Sequence, residues 1–203
     1  MKHVTAILLA AGRSRRMGAF KPLLPFGSQT VIESSVTNLR AGGASDIIVV
    51  VGYRGNEIRD RLTCTDVRFV TNPDSETPMG VSIRLGVDQV REQSDAVLIT
   101  PADHPAIPGD TIKSIVNEWK QGAALVQPEY EGHGGHPVLV DREYFAELLH
   151  LDTQGGLRGF FEQHRAETRR LPVRSPMIAR DLDTWEDYVA LHRDVFGAPP
   201  PPF

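Results

Sequence analysis

The sequence contains a single cysteine, Cys64, among 203 residues, which excludes an internal disulfide and any metal site built from several cysteines. No motif surrounds Cys64, so we interpret it as a loop or core residue in a reducing compartment. A basic excess is also missing, because 22 Lys and Arg residues stand against 26 Asp and Glu residues, for a formal net charge of −4. The composition therefore argues against a chain whose main task is to hold a nucleic-acid backbone.

Long hydrophobic runs are absent as well. The apolar run at residues 6–11 is too short to cross a membrane and is followed at once by arginines, so it predicts neither a span nor an export signal. We therefore expect a cytoplasmic protein without a membrane or nucleic-acid partner. With 40% hydrophobic and 24% charged residues, the chain has the composition of a folded protein. We predict one domain over residues 1–196 and a flexible Pro-rich tail over residues 197–203.

Short apolar runs alternate with helical patterns in the first half of the chain. Strands are predicted at residues 4–9, 46–51, 67–70 and 96–99, and helices at residues 30–40, 81–90 and 112–119. The later pattern predicts strands at residues 123–127, 136–140 and 168–173. It also predicts a helix at residues 142–150, a second helix that follows the glycine-rich segment DTQGGLRG and ends at about residue 164, and a last helix that begins at residue 184. Strands that are apolar throughout are typical of strands covered on both faces. The sequence therefore predicts a doubly wound, mainly parallel α/β sheet in three α/β/α layers, with ligands beyond the carboxyl ends of its strands.

The loop after the first predicted strand combines glycine with positive charge. Gly12 and Gly18 allow backbone N–H groups to turn towards an anion. Four cations fall within nine residues, namely Arg13, Arg15, Arg16 and Lys21. Water on a solvated loop or a bound polyanion would relieve their repulsion, and the position directly after an apolar strand favours phosphate binding. The usual phosphate and hydrolase fingerprints are missing, since the loop has no P-loop, G-x-G-x-x-G or G-x-S-x-G pattern.

The segment LAAGRSRRMGAFK, residues 9–21, resembles the signature of the nucleotidyltransferases that act on molybdenum cofactor. It is similar, more distantly, to the wider class that couples nucleoside triphosphates to sugar or polyol phosphates. The resemblance extends to about residue 191. It implies a Rossmann-like fold of the nucleotide-diphospho-sugar transferase type. It also implies Mg²⁺-dependent transfer of a nucleoside monophosphate to a phosphorylated acceptor, first of all molybdopterin, with a sugar or polyol phosphate as the alternative.

The same resemblance implies a nucleotide site. Arg16 would contact the pyrophosphate portion, and Lys21 would lie near the reacting phosphates. Family members with Ala-Ala-Gly in the signature resemble cytidylyltransferases, which favours CTP over GTP. Ser82, near the start of a predicted helix, would face the base and ribose, or would only stabilise the helix start. The expected nucleotide-binding residues are Leu9, Ala10, Ala11, Gly12, Arg13, Ser14, Arg16, Lys21, Gly80 and Ser82.

Two aspartates are candidate Mg²⁺ ligands. Asp103 follows a strand in a loop held by two prolines, matches the family's P-x-D-x-P motif, and offers the oxygen ligands that Mg²⁺ prefers. Asp183 lies in a segment similar to the family's D-[IL]-D-T-x-x-D motif, where it would either add a second carboxylate or cap the last helix. The expected catalytic residues are Arg16, Lys21 and Asp103.

The acceptor side is expected to come from later loops. The segment G-H-P-V resembles the family's acceptor-side loop and would place Gly135 and His136 in the pocket. His104 departs from the residues common in the family and would either touch the acceptor or fill space. Arg158 follows an imperfect match to the family's G-D-x-G-x-R loop and would bind an acceptor phosphate or brace a helix, and the role of Asp152 in that loop stays open.

Other function classes are weighed against this hypothesis. A non-catalytic nucleotide- or cofactor-binding protein is disfavoured because Arg16, Lys21 and Asp103 are all present. A dinucleotide oxidoreductase is disfavoured because the G-x-G-x-x-G pattern is missing. An unstable cofactor product suggests a receiving molybdoenzyme or its chaperone, although no motif identifies a partner.

Overall fold

The secondary structure follows the predicted alternation, in a computed structural model that describes residues 2–14, 16–74, 76–151 and 155–201. Asp152 and the end of the predicted tail lie outside the described residues. The strands are β1 (Val4–Ala10), β2 (Pro25–Phe26), β3 (Gln29–Thr30), β4 (Asp46–Val51), β5 (Arg68–Thr71), β6 (Ala96–Pro101), β7 (Leu125–Tyr130), β8 (His133–Gly134), β9 (Val138–Asp141) and β10 (Thr168–Pro172). The α-helices are α1 (Val31–Ala41), α2 (Gly55–Arg61), α3 (Met79–Asp88), α4 (Gly109–Lys120), α5 (Phe145–Leu149), α6 (Gly156–Gln163) and α7 (Trp185–Phe196). None of the helices in these described ranges combines the length and the hydropathy of a membrane span.

One large sheet organises the molecule. Its strands lie in the order β10-β7-β9-β6-β1-β4-β5, and β8 pairs with β7. The central strand β1 is buried along its whole length and pairs in parallel with β4 and β6, while β5 continues the parallel set beside β4. In contrast, β9 runs antiparallel to β6 and β7. The prediction of a doubly wound, mainly parallel sheet is confirmed, and the carboxyl ends of β1, β4, β5 and β6 meet at one edge.

Helices cover both faces of this sheet, which explains why its strands are apolar throughout. Leu8 of β1 faces the core that contains α1, α2 and α4, whereas its neighbour Ile7 faces the core that contains α3, α5 and α6. A Cβ atom at Gly86 would lie 2.6 Å from the Ile7 side chain, so glycine at this position lets α3 lie close against the sheet. A third, smaller core packs Tyr188 of α7 against the β2–β3 hairpin.

Some elements depart from the sequence-based prediction. Helix α2 was not predicted, because it buries a single residue, Ile58, and so shows no apolar period. The β2–β3 hairpin was not predicted either, since each of its strands has two residues. The helix predicted at residues 142–150 is divided into a 3-10 turn at Arg142–Tyr144 and the short α5. Helix α2 packs against the 3-10 turn at Lys21–Leu23 in the loop after β1, so this departure adjoins the predicted site.

His164 connects α5 to the segment after α6. Its Nε2 lies 2.7 Å from Glu147 Oε2 and its Nδ1 lies 3.1 Å from Glu167 Oε2. The hydroxyl of Tyr144 donates to the same oxygen of Glu167 at 2.6 Å. Burial lowers the pKa of His164, but hydrogen bonds and charge from the two glutamates outweigh burial and hold the pKa above its ordinary value. The folded protein therefore stabilises the imidazolium form of His164 more than the unfolded chain does.

This raised pKa predicts a pH-dependent contribution to stability. The His164 imidazolium stabilises the fold fully below its unfolded pKa, and this contribution is lost as the pH rises through the higher folded pKa. Replacing His164 with Gln is therefore expected to lower the melting temperature more at about pH 6 than at about pH 9. Thermal denaturation of both proteins at the two pH values checks this prediction. An equal loss at both values would contradict it.

Candidate active site

A cleft of ≈ 450 Å³ opens at the edge where the parallel strands end. Its walls come from four segments: the loop after β1, the loop from β5 into α3, the loop after β6, and the segment before α7. This is the edge where a doubly wound sheet binds its ligands. Ten of the residues singled out in the sequence line the cleft: Leu9, Ala10, Ala11, Gly12, Ser14, Arg16, Lys21, Ser82, Asp103 and Asp183.

The loop after β1 is folded back by local hydrogen bonds. Ser14 adopts a left-handed backbone conformation with φ of 53°, and Gly18 does so with φ of 69°. The Ser14 hydroxyl oxygen accepts the backbone N–H of Lys21 at 3.3 Å, which ties the two ends of the loop together. Lys21 then begins a 3-10 turn with Pro22 as its second residue, and the lysine is buried at 8% exposure. The turn thus carries a buried cation into the cleft rather than into solvent.

The Lys21 ammonium lies between two carboxylates. Its Nζ is 3.3 Å from Oδ2 of Asp103 and 3.0 Å from Oδ1 of Asp183. The guanidinium of Arg16 donates to the other carboxylate oxygen of Asp183. The backbone N–H of Leu182 donates to the carbonyl oxygen of Asp103 at 3.2 Å, which holds the two acidic segments side by side. The structure therefore brings the β1 loop and Asp103 together across one cleft.

The carboxylate of Asp103 stays ionised in this environment. Burial raises its pKa, but the hydrogen bond and charge of His104 and the charge of Lys21 outweigh burial and lower the pKa to about 2. Nδ1 of His104 lies 3.1 Å from Oδ1 of Asp103. Nearby, burial raises the pKa of Asp181, and the charges of Asp183 and Asp103 raise it further. The neighbouring positive groups therefore keep Asp103 ionised, and the raised pKa of Asp181 reflects the closeness of three acidic side chains.

The donors at this end suit a hard divalent cation. Asp103 and Asp183 already share one cation, the Lys21 ammonium, so their oxygens are close enough to act together. Mg²⁺ typically binds one or two carboxylates and fills its remaining positions with water and substrate phosphate oxygens. Within the described ranges there is no cluster of three or more His, Cys, Asp or Glu ligands, so an all-protein metal cage is not formed there. The residues present therefore fit Mg²⁺ better than a structural zinc ion.

Asp183 is not the cap of the last helix. The hydroxyl oxygen of Thr184 accepts the backbone N–H of Asp187 at 3.2 Å, and the Asp187 carboxylate accepts the backbone N–H of Thr184 at 2.8 Å. This capping box satisfies the start of α7 without Asp183. Asp183 is therefore not needed for the cap and lines the cleft, and its part in metal binding stays a prediction.

In the sheet, β5 lies two strands from β1, on the side opposite β6, whose loop carries Asp103. The part of the cleft beside β5 has uncharged lining residues. It is lined by Asn72, Thr77, Met79 and Ser82, from the loop after β5 and the first turns of α3. Sequence reasoning singled out Ser82 but missed the other three. Asn72 directly follows the last residue of β5, and a polar residue at the end of a parallel strand is the signal that would have identified it.

Two of the expected nucleotide-binding residues do not line the cleft. Arg13 lies near its rim, where its Nε is 3.0 Å from Glu76 Oε1 and its guanidinium lies 5.3 Å from the Tyr53 ring centre. This ion pair joins the loop after β1 to the loop before α3. Gly80 is buried in the first turn of α3, beneath the surface that Ser82 reaches.

The expected acceptor-binding residues are divided. The ring of His104 contacts the ring of His136, with centres 5.1 Å apart, so both histidines lie beside Asp103. Burial and then the charge of His104 lower the pKa of His136 to about 4, which keeps it neutral. Gly135 packs tightly, since a Cβ atom there would lie 2.4 Å from the Ile178 carbonyl oxygen. Arg158 is exposed on α6 and does not line the cleft.

Comparison with known proteins identifies the family. The family described as the MobA-like NTP transferase domain matches residues 6–168. The molybdenum cofactor cytidylyltransferase of Escherichia coli K12 is 28% identical over 93% of this chain and 95% of its own length. The nicotine blue oxidoreductase of Paenarthrobacter nicotinovorans is 26% identical over 93% of this chain and 96% of its own length.

A solved structure extends the agreement to three dimensions. Rv0371c from Mycobacterium tuberculosis H37Rv superposes with a TM-score of 0.85 at 26% identity, covering 95% of this chain and 98% of that one. A second structure of Rv0371c, in complex with manganese, superposes with a TM-score of 0.81. With a family match over most of the chain and the cleft at the expected sheet edge, this protein belongs to the MobA-like NTP transferase family and is a nucleotidyltransferase.

Proposed function

We propose that this enzyme transfers the nucleoside monophosphate part of CTP to a phosphorylated acceptor, first of all molybdopterin, and releases pyrophosphate. The observation that carries the proposal is the contact of Lys21 with Asp103 and Asp183 across the cleft that the β1 loop lines. That arrangement offers cationic groups for phosphates and carboxylates for a divalent metal in one place. The Ala10-Ala11-Gly12 form of the loop, and the cytidylyltransferase of Escherichia coli among the relatives, favour CTP over GTP.

The chain's residues act by positioning and by neutralising charge. An acceptor phosphate is ionised at neutral pH, so its oxygen can attack the α-phosphorus without a general base, and pyrophosphate leaves in line. Lys21 would stabilise negative charge at the reacting phosphates, and Arg16 with the N–H groups of the β1 loop would hold the departing pyrophosphate. Asp103 and Asp183 would hold Mg²⁺, which when bound supplies electrostatic stabilisation of the phosphate oxygens.

The metal assignment is supported by chemistry and by a relative. The two carboxylates are oxygen donors, and the manganese complex of Rv0371c shows that a structural neighbour binds a divalent cation.

His104 and His136, which lie beside Asp103, mark the side from which the acceptor would enter. Arg158 would reach the acceptor only if its phosphate extended beyond the cleft.

The acceptor has a specific rival. A sugar or polyol phosphate offers the same attacking phosphate oxygen as molybdopterin. The residues that line the cleft are those expected to contact the nucleotide, so they do not distinguish the two acceptors. The Paenarthrobacter relative is named as an oxidoreductase, which makes a redox activity a second candidate function. This chain, however, lacks the G-x-G-x-x-G pattern of dinucleotide-binding enzymes. We further propose that a molybdopterin product would pass to a molybdoenzyme or its chaperone in the cytoplasm.

A pyrophosphate-release screen tests the proposal. The purified enzyme is incubated with Mg²⁺ and CTP, GTP or ATP, each with molybdopterin or with a panel of sugar and polyol phosphates. We expect the fastest release with CTP and molybdopterin, no release without an acceptor, and loss of release when EDTA removes the metal. Oxidation of NADH or NADPH is measured in parallel. Release with a sugar phosphate alone would move the acceptor to the rival class, and nicotinamide turnover without pyrophosphate release would refute the proposal.

A further inference from the structure

Asn72 is buried in the wall of the cleft, and its side-chain amide is fully engaged. Its Oδ1 accepts the backbone N–H of Asp74 at 3.1 Å. Its Nδ2 donates to Thr77 Oγ1 at 2.9 Å and to Ser82 Oγ at 3.0 Å. A backbone N–H can only donate, so the atom facing Asp74 must be the amide oxygen, and the group facing the two hydroxyls must be the NH₂. The Asp74 contact therefore fixes which way the Asn72 amide points.

The orientation of the amide fixes the polarity of Ser82. Because Ser82 Oγ accepts a hydrogen from Asn72, the hydroxyl hydrogen of Ser82 must be donated elsewhere. The hydroxyl of Thr77 donates to the carbonyl oxygen of Asp74 at 2.8 Å and is thereby used within the loop. In the part of the chain that the structure describes, Ser82 Oγ donates to no protein group. Ser82 is 5% exposed and lines the cleft, so its hydroxyl hydrogen is available to a ligand there.

The position of Ser82 identifies which part of the ligand it meets. Arg16, Lys21 and the two carboxylates occupy one end of the cleft, where charge suits the phosphates and their metal. Asn72 follows β5, across β1 from the loop of Asp103, and Ser82, its hydrogen-bond partner, lies with it in the uncharged end of the cleft. A nucleoside triphosphate that places its phosphates at the charged end places its base and ribose at the end that Ser82 lines.

We propose that Asn72 is a positioning residue, which holds Ser82 as a hydrogen-bond donor to an oxygen or unprotonated ring nitrogen of the nucleoside. This inference rests on the proposed nucleotidyltransferase function and deepens it. The resemblance already implies that Ser82 faces the base and ribose; the inference adds that Asn72 acts through Ser82, by fixing the direction of its hydroxyl, rather than through direct contact. If this is right, making the Ser82 hydroxyl donate to residue 72 instead of to the ligand should weaken nucleotide binding as much as removing the hydroxyl does.

Replacing Asn72 with Asp makes that reversal with little change in shape. An ionised carboxylate only accepts, so it would take the Ser82 hydroxyl hydrogen and leave lone pairs facing the ligand. Calorimetry with CTP and Mg²⁺, without acceptor, is expected to show about tenfold weaker binding for Asn72→Asp and for Ser82→Ala. The double variant is also expected to lose about tenfold, because both changes remove one donor. Inorganic pyrophosphate lacks the nucleoside, so its affinity should be the same for all four proteins.

Two controls separate this role from charge and from loop structure. Asn117→Asp adds the same charge on the exposed surface of α4, on the opposite face of the sheet, and should leave CTP binding unchanged. In a Thr77→Val background the Asn72→Asp substitution should still cost about tenfold, because its effect does not pass through Thr77. Melting temperatures of all variants establish that the proteins compared are folded.

Several results would overturn the inference. These are a roughly hundredfold loss in the Asn72→Asp, Ser82→Ala double variant, an equal loss of pyrophosphate affinity, or no loss after Asn72→Asp in either background. If Asn72→Asp does not fold, a crystal structure of the wild-type enzyme with CTP decides, since Ser82 Oγ must then contact both Asn72 and the nucleoside. Wild-type protein that binds neither CTP, GTP nor pyrophosphate would instead refute the proposed function.

Discussion

Replacing Asp103 with Asn is expected to reduce pyrophosphate release by about 10²–10³, which corresponds to about 2.7–4 kcal/mol of lost transition-state stabilisation. The amide keeps the shape of the side chain but removes the charge that the low pKa of Asp103 preserves at neutral pH. It therefore weakens the proposed metal site while Asp183 remains in place. Steady-state pyrophosphate release at saturating CTP and Mg²⁺ measures the effect.

The control for this substitution is Asp60→Asn, which removes the same charge from the exposed surface of α2. It should leave turnover unchanged. Near wild-type pyrophosphate release by folded Asp103→Asn enzyme would show that the carboxylate has no part in the reaction. Partial recovery of Asp103→Asn activity at high Mn²⁺ concentration would support the metal role, because a weakened site is filled by mass action.

Replacing Lys21 with Ala is expected to reduce turnover about as much as Asp103→Asn does. Unlike Asp103→Asn, which weakens metal binding, it is expected to strengthen it. The ammonium contacts both carboxylates, so it competes with a divalent cation for the same negative charge. Its removal should cost about 10²–10³ in turnover, since one cation at the reacting phosphates is lost. At the same time Mn²⁺ should bind more tightly to the nucleotide-free enzyme. Pyrophosphate release and Mn²⁺ titration by electron paramagnetic resonance give the two readings.

The matched control for Lys21→Ala is Lys113→Ala, which removes an exposed lysine from α4. Neither turnover nor Mn²⁺ affinity should change in that variant. If Lys21→Ala retained wild-type turnover, the lysine would be a structural partner of the carboxylates only. If it lost turnover and Mn²⁺ affinity together, the lysine would be organising the metal site rather than competing with the metal.

Much of the fold could be predicted because the apolar pattern is strong where burial is complete. β1 and β4 are buried almost throughout, so their sequences show uninterrupted apolar runs. The amphipathic α4 buries Ile112, Ile115, Val116 and Trp119 at helical spacing. Helix α2, with one buried residue, has no such pattern. The antiparallel direction of β9 was also inaccessible, because an apolar run reads the same in either direction.

The candidate site could be predicted where residues follow strands directly. Lys21 and Asp103 lie on loops after β1 and β6, which are neighbours in the sheet, so topology alone brings them together. The three-residue spacing of Thr184 and Asp187 is that of a capping box, which the structure confirms. That Asp183 faces the cleft depends on side-chain directions that spacing does not determine. Asn72 was missed although it directly follows β5, because no motif marks it and its three hydrogen bonds cannot be deduced from spacing.

The most direct test of the account is a crystal structure of the enzyme with CTP and Mn²⁺, using the anomalous signal of manganese to locate the metal. The account predicts an anomalous peak in contact with Asp103, with the triphosphate against the β1 loop and the cytidine beside Ser82. A peak and nucleotide bound elsewhere, with Lys21 still joined to both carboxylates and the cleft occupied by solvent, would contradict it.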